Sequence, residues 1–386
     1  MINLVEFFDG LTDPRAKDNQ KYPFEYLMLI ALCATLAGID SCVGIADYAE
    51  THEPFFSAYF NLRYTPRHDT FLNILSRLDP AEMEIWFRKR TDDILKIISL
   101  MPKSEEAESK KSSSEEINYQ QVCFDGKTIR NSGFLNPFHV VSAWYENMGL
   151  VLGQEKVSDK SNEITAIPAL IESLELPKNA LITIDAMGCQ REICQTIINK
   201  GADYIIAVKE NQPTLFLNTI AQIEEEFEKA QSIYHSQNKG HGRIEKRNCI
   251  AMLPDSEKYD FKDWPGLKAI YAVDSDVITK RRGKEKRTLA TRYFVASALI
   301  SAEGALGYIR KHWGIEVKLH WRLDVVMNED HACIQEEMAA LNMNRLRKMA
   351  LNIINLIRGK TSVASINRKC MNPSYSIEFL EKLLCP

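Results

Sequence analysis

The 386 residues carry no excess of positive charge: 48 Lys and Arg stand against 52 Asp and Glu, a formal charge of −4. Bulk composition therefore announces no nucleic-acid partner, and any surface for one has to be local. CxxC pairs are absent as well. The nine cysteines are scattered, and Cys189 and Cys194 have no matching second pair. An odd, dispersed set points to reduced thiols and argues against a disulfide framework or a zinc ribbon. No apolar run is long enough to span a membrane: the most apolar stretch, Tyr26 to Ile39, is short and is bracketed by Glu25 and Asp40. The start, Met-Ile-Asn-Leu-Val-Glu-Phe-Phe-Asp, lacks the basic region of an export signal. These absences predict a cytoplasmic protein without membrane contact. Internal repeats are lacking too.

What is present is a change of pattern along the chain. Residues 1–102 read as a helical domain. Phe24 to Ala37 is a buried helix, Val43 to Tyr48 and Thr70 to Arg77 continue a bundle, and Ala81 to Met101 is long and amphipathic, with Trp86, Ile94, Leu95 and Ile98 on its apolar side. Arg63, Arg67, His68, Arg77, Arg88, Lys89 and Arg90 scatter basic charge over this domain, as a solvated helix surface or as a DNA-contacting one. Residues 103–118 have almost no apolar content and alternate charge in blocks, which reads as a flexible linker.

From 119 to 208 the period becomes that of strands. Gln121 to Asp125, Phe138 to Trp144 and Gly149 to Lys156 are strands. Asn162 to Leu174 is a helix, Ala180 to Asp185 a strand, Gln190 to Asn199 a helix and Tyr204 to Val208 a strand. That order, β-β-β-α-β-α-β, is the order of the ribonuclease H-like α/β fold, a mixed sheet covered by helices. Residues 209–299 interrupt it as a β-rich insertion, with a helix from Thr214 to His235 and then β-like runs at Arg247–Leu253, Leu267–Val273, Asp276–Lys280 and Leu289–Ala298. Ser275–Lys280 and Thr288–Ser297 read as a hairpin whose tip, Lys280 to Arg287, has six basic residues and one acid. Residues 300–358 return to helix, at Glu303–Asp324 and at Ile334–Ile357, the second amphipathic and carrying Arg345, Arg347 and Lys348. Residues 359–386 form a tail, irregular apart from Ile377 to Leu384.

Three acids stand out against this pattern. Val122, Cys123 and Phe124 make a compact apolar run that ends in Asp125, at the strand's edge. Alone, Asp125-Gly126 also reads as a two-residue hairpin turn. The pattern recurs, however, in Leu181-Ile-Thr-Ile-Asp185, and Glu316 lies in the helically spaced segment His312-Trp-Gly-Ile-Glu-Val-Lys-Leu-His-Trp321. Two strand-borne aspartates and a helix-borne glutamate are the set a two-metal phosphoryl-transfer site needs.

Around them are candidate phosphate contacts. Lys209, Asn211 and Gln212 leave a strand at its carboxyl end, where α/β sites gather, as phosphate ligands or as the loop's own cap. Arg243 follows His241 in a Gly-rich turn, Arg281 and Arg282 lie in the basic tip, and Lys318 lies just past Glu316. His312, one helical turn before Glu316, is a phosphate contact if charged and a packing or hydrogen-bonding residue if neutral. Trp313 and Trp321, on one helical face, read as core packing in preference to base stacking.

Six segments carry a family resemblance: Phe124-Asp-Gly-Lys127, Asn162-Glu-Ile164, Ile184-Asp-Ala-Met-Gly-Cys-Gln190, Lys209-Glu-Asn-Gln212, His241-Gly-Arg243 and His312-Trp-Gly-Ile-Glu316. In this order they resemble the H-repeat-associated group of bacterial insertion-sequence DDE transposases. Phe7-Phe-Asp-Gly-Leu-Thr-Asp-Pro-Arg15 and His68-Asp-Thr-Phe71 resemble the domain that precedes the catalytic domain in that group. The resemblance implies Asp125, Asp185 and Glu316 as the catalytic triad and as ligands of two Mg²⁺ ions, with Mn²⁺ able to substitute. It implies cleavage at the ends of a DNA element and joining of the 3′-hydroxyl to target DNA. Double-stranded DNA is then the partner, met by a homodimer.

The wider class carries a Tyr, Arg, Glu and Lys signature on its last helix. Here His312 precedes Trp313, Tyr308 is one place out of register and Leu323 stands where the lysine is expected. The signature's phosphate contacts do not transfer residue by residue.

Two other readings use the same residues. His312, Glu316 and His320, spaced i, i+4, i+8, suit a single zinc ion, which leaves Asp125 and Asp185 without a task. A transposase relic that binds DNA without cutting it would keep the triad but not the activity.

Overall fold

The computed structural model describes residues 6–61, 64–100, 117–130, 137–157, 163–240, 242–261, 263–281, 284–332, 334–357 and 362–384. Five helices come first: α1 (Phe24–Leu36), α2 (Cys42–Thr51), α3 (Glu53–Phe60), α4 (His68–Leu75) and α5 (Pro80–Leu100). Then follow β1 (Gln120–Thr128), β2 (His139–Tyr145), β3 (Leu150–Val157), α6 (Glu163–Ser173), β4 (Ala180–Ile184), α7 (Arg191–Asn199) and β5 (Asp203–Val208). After α8 (Pro213–Glu225) come four strands, β6 (Ser232–Gly240), β7 (Arg243–Met252), β8 (Ala269–Arg281) and β9 (Lys284–Ala296). The chain closes with α9 (Ala302–His312), two π-helical segments (Glu316–His320 and Arg322–Val326), α10 (Glu337–Ile357), α11 (Val363–Cys370) and α12 (Pro373–Leu384). Among the described residues no helix is long and apolar enough to cross a membrane. The expected linker lies outside the described residues except for Ile117 and Asn118.

The chain divides into two compact units. One comprises residues 1–113, 126–160 and 316–386, and the other residues 114–125 and 161–315. Strand β1 passes from the second into the first between Asp125 and Gly126.

The first unit is helical around the β2–β3 antiparallel pair. Helix α1 is apolar on every side and buried from Tyr26 to Leu36, as a helix must be when it has no polar face to turn outward. Gly38, at φ +85°, ends it. Helix α3 was not expected: its Phe-rich sequence has no clear period, and its signals are Pro54 in the first turn and the left-handed Asn61 after its end.

The tail is also more regular than expected. Ser362 caps α11, Pro373 opens α12, and Tyr48 Oη donates to the Cys370 carbonyl at 3.0 Å.

Helix α10 departs most from its expected character. Arg345, Arg347 and Lys348 are all buried, and the helix is polar where it packs. Asn342 Nδ2 donates to the carbonyls of Leu75 and Leu78 at 2.9 and 2.8 Å. Arg345 Nε donates to Glu84 Oε2 at 2.8 Å, and Asn352 bonds both backbone groups of Val151. Buried polar groups persist only with such partners. Arg88 and Arg90 have a similar role. Arg88 Nε bonds Glu84 at 2.8 Å, and Arg90 bonds the carbonyls of Glu6 and Asp9, so neither is part of a solvated helix surface.

The second unit holds a mixed sheet in the order β1-β4-β5-β9-β8-β7-β6. β1, β4 and β5 are parallel; β5, β9, β8, β7 and β6 are successively antiparallel. The inserted strands therefore extend the central sheet, through pairs such as Ile206 with Val295. Most of Leu267–Val273 and all of Asp276–Lys280 belong to one strand, β8. The β8–β9 hairpin forms, but its strands run further than expected: Lys284 to Arg287, expected in the tip, belong to β9 and pair with Arg281 to Ile278.

Two expectations fail here. The helix from Thr214 stops at Glu225, because Ser232 to Gln237 alternates between half-buried and exposed, the period of a strand. Asp125 is not at a strand end or in a turn: β1 continues to Thr128.

Candidate catalytic site

Alternate residues of a strand share a face, so Tyr119, Gln121, Cys123 and Asp125 point one way. Leu181, Thr183 and Asp185 do the same on β4 and just beyond it. The parallel register ends with Phe124 opposite Ile184, which makes Asp125 and Asp185 the next pair, on chains about 5 Å apart. A hydrogen bond of 3.0 Å from Gln121 Nε2 to Thr183 Oγ1 shows that the two sets lie on the same side. Helix α9 covers that side, with Ala305, Leu306 and Ile309 packed in one cluster with Tyr119 and Leu181. Asp125 is half-buried and Asp185 exposed.

The chain after Asp185 is tightly built. Asp185 Oδ1 accepts from Met187 N at 3.0 Å and caps a short 3₁₀ turn, Ala186–Gly188. Gly188 has no room for a side chain, since a Cβ there would stand 2.3 Å from Ile184 Cγ2. Asn211 Nδ2 donates to the Ala186 carbonyl at 2.8 Å. Gln212 Nε2 donates to the Cys189 carbonyl at 2.9 Å and to Gln190 Oε1 at 3.0 Å. Asn211 and Gln212 thus tie the loop after β5 to the turn that presents Asp185.

Lys209 is exposed on the rim of a cleft of about 600 Å³, with Asp185 and Gln190 as further polar lining and Ile164, Met187 and Phe216 as apolar lining. His312, the last residue of α9, has Nδ1 3.0 Å from Thr183 Oγ1.

In the other unit Glu316 opens the first π-helical segment and is exposed, with Oε2 3.5 Å from His320 Nδ1. Lys318 is paired with Glu146, whose other oxygen accepts from Trp144 Nε1 at 2.8 Å. Trp313 and Trp321 are 45% and 51% exposed, so neither is a core residue, and Arg292 lies 4.5 Å from the Trp313 ring centroid. Arg243 is exposed and paired with Glu245. Arg281 ends β8, and Arg282 and His241 lie outside the described residues.

Sequence reasoning overlooked a cluster two residues beyond Asp125. Lys127 Nζ bonds Asp324 and, at 2.5 Å, Glu329 Oε2. Glu329 is fully buried, accepts from Asn344 Nδ2 at 2.7 Å, and has Arg347 at 3.8 Å. Burial alone would push its carboxyl up, but Lys127 and Arg347 hold it down at about 2. Burial pushes the Lys348 ammonium down to about 7, against the pull of Glu329 and Glu84. The one signal in the sequence is Lys127 itself, a cation three residues past the apolar run Val122–Phe124.

Comparison with known proteins bears on the whole chain. Residues 117–353 match the family described as the Transposase DDE domain, and residues 5–89 match the domain described as DDE_Tnp_1-associated. YhhI of Escherichia coli (strain K12), whose name places it among H repeat-associated transposases, is 33% identical over 394 residues, 99% of this chain and 97% of that one. YbfL of the same strain is 33% identical over the same shares of the two chains. Among solved structures, a piggyBac transposase synaptic complex with hairpin DNA is similar at a TM-score of 0.39 and 10% identity, over 96% of this chain and 76% of that one.

Proposed function

The chain belongs to the H repeat-associated group of DDE transposases, and from that premise we propose that Asp125, Asp185 and Glu316 cut the ends of a DNA element and join the 3′-hydroxyl to target DNA. The observation that carries the reading is the placement of Asp125 and Asp185 as neighbours on one sheet face. Glu316 completes the triad on the strength of its motif. The catalytic sheet is read as ribonuclease H-like, preceded by a DNA-binding domain within residues 1–102.

The donor set fits Mg²⁺. Two carboxylates that share a face are hard oxygen ligands, neither is fully buried, and the cleft leaves space for water and phosphate oxygens. Two such ions, when bound, supply the charge that activates an attacking hydroxyl and stabilises the leaving oxygen. The chain's own contribution is orientation. The register fixes the spacing of the aspartates, and the capped turn after β4 fixes the Asp185 backbone. Asn211 and Gln212 keep that turn from moving, and Lys209 offers a cation to a phosphate at the cleft rim. The partner is double-stranded DNA, bound by a homodimer.

Asp125→Ala, Asp185→Ala and Glu316→Ala should each abolish strand cleavage of an end-containing duplex in Mg²⁺ while leaving DNA binding largely intact. Near-wild-type cleavage by any one of them overturns the triad. Dependence on Zn²⁺, lost in His320→Ala, would instead favour a zinc site, to which the 3.5 Å approach of His320 and Glu316 lends itself. A wild-type chain that binds ends without cutting them would be a relic.

A further inference from the structure

Three polar side chains under α9 form a directed chain. Gln121 is fully buried, and its Nε2 has two acceptors, Thr183 Oγ1 at 3.0 Å and the Tyr308 carbonyl at 2.9 Å. The carbonyl can only accept, which fixes the amide with its nitrogen on this side. Both of its N–H groups are then engaged, and one points at the Thr183 oxygen. Thr183 is itself buried, on a central strand whose backbone groups pair with β1 and β5. Its hydroxyl accepts from Gln121 and has a single proton left to give. Nδ1 of His312 lies 3.0 Å away and can take it.

We infer that Gln121 and Thr183 are positioning residues that set the tautomer and ring orientation of His312. The relay runs Gln121 Nε2–H to Thr183 Oγ1–H to His312 Nδ1. An imidazole that accepts at Nδ1 carries its proton on Nε2. The ring is thereby anchored on the sheet face from which Asp125 and Asp185 project, as a neutral donor to a phosphodiester oxygen. A neutral donor orients a phosphate without competing with cations for its charge. This role rests on the transposase reading of the site; the tautomer does not.

The test uses the full chain with ¹⁵N-labelled histidine. Long-range ¹H–¹⁵N correlations report which ring nitrogen is protonated, and the His312 signals are assigned by their loss in His312→Gln. The wild type should show His312 as a single Nε2–H tautomer at neutral pH without DNA. Thr183→Val keeps the side-chain shape and removes the hydroxyl. It should abolish that single-tautomer pattern and lower cleavage kcat by about tenfold to a hundredfold with KM for the DNA little changed. Thr183→Ser should restore both.

An Nδ1–H tautomer in the wild type, or a pattern unaltered in Thr183→Val, overturns the relay. A changed tautomer with unchanged kcat overturns the positioning role while leaving the transposase reading intact. If the wild type cuts no DNA, that reading fails on its own, and the spectra still decide the relay.

Discussion

Replacing Glu329 by glutamine tests the buried ion cluster that anchors the far end of the strand bearing Asp125. The substitution keeps the shape and an oxygen for Asn344, but it removes the charge that faces Lys127 at 2.5 Å and Arg347 at 3.8 Å. It also turns an amide donor towards one of those cations. The magnitude follows from the carboxyl's displacement from 4.5 to about 2. At 1.36 kcal/mol per unit this is on the order of 3 kcal/mol of native-state stabilisation, and breaking a buried pair by one partner costs a similar ~3–5 kcal/mol. Because the folded-state value is depressed, the contribution is fully present above about pH 4.5 and is lost as pH falls through about 2. Urea unfolding of wild type and Glu329→Gln, compared from pH 7 to pH 3.5, should show a stability gap of that order. Losing Glu329 also removes its pull on the Lys348 ammonium, so the gap should hold or grow down to about pH 4.5 and narrow below it as the wild-type carboxyl gives up its advantage. A variant as stable as wild type at pH 7, or a gap that does not narrow between about pH 4.5 and pH 3.5, would refute the reasoning.

The neighbouring cation has the opposite sign. Lys348 is displaced from 10.5 to about 7 by burial, so wild-type stability should rise between about pH 7 and pH 10 as the ammonium is relieved of its proton, and Lys348→Met should flatten that rise in urea unfolding carried out across that range. An unchanged slope would place the cost elsewhere. On the proposed DNA-cutting face, Asn211→Ala removes the 2.8 Å bond to Ala186, worth about 1 kcal/mol of turn stability, and should lower cleavage with little change in end binding. Lys209→Ala should do the reverse, weakening binding and reducing the salt slope by about one in an electrophoretic titration, and an unaltered slope would remove Lys209 from the DNA contacts.

Much of the sheet was readable because strand signals are local. Apolar, β-branched runs mark β1, β4 and β5, and their order along the chain gives the parallel segment. The errors arose where the same local pattern has two meanings. Asp125-Gly126 has the composition of a hairpin turn, but β1 runs on through it, because flanking residues and sheet pairing outweigh a dipeptide preference. The acidic stretch after Glu224 looked helical on both sides, and only the alternation from Ser232 onward, weak in an exposed edge strand, marks the start of β6. Whether β8 and β9 form a separate module or join β5 is a matter of pairing between distant segments. No periodicity in the hairpin itself encodes it.

The charged residues of α10 and the segment around Glu316 show the deeper limit. Charge in a sequence reads as solvent exposure, because an isolated buried charge is prohibitive. Arg345, Arg347 and Lys348 escape that rule through partners far away in the chain, with Glu84 261 residues before Arg345. A sequence displays the cation and its acid but not their meeting. Helical spacing fails in a related way after His312. Spacing of i, i+4, i+8 places residues on one face of a regular α-helix, yet from Glu316 the backbone is π-helical and takes more residues per turn. The apolar Trp313, Val317, Trp321 and Val325, four apart like a core stripe, are all exposed. Single π turns inside α-helices are rare and are frequent at functional sites, where the changed direction of the side chains can be of use. Glu316, the proposed third carboxylate, stands at the first residue of the π-helical stretch.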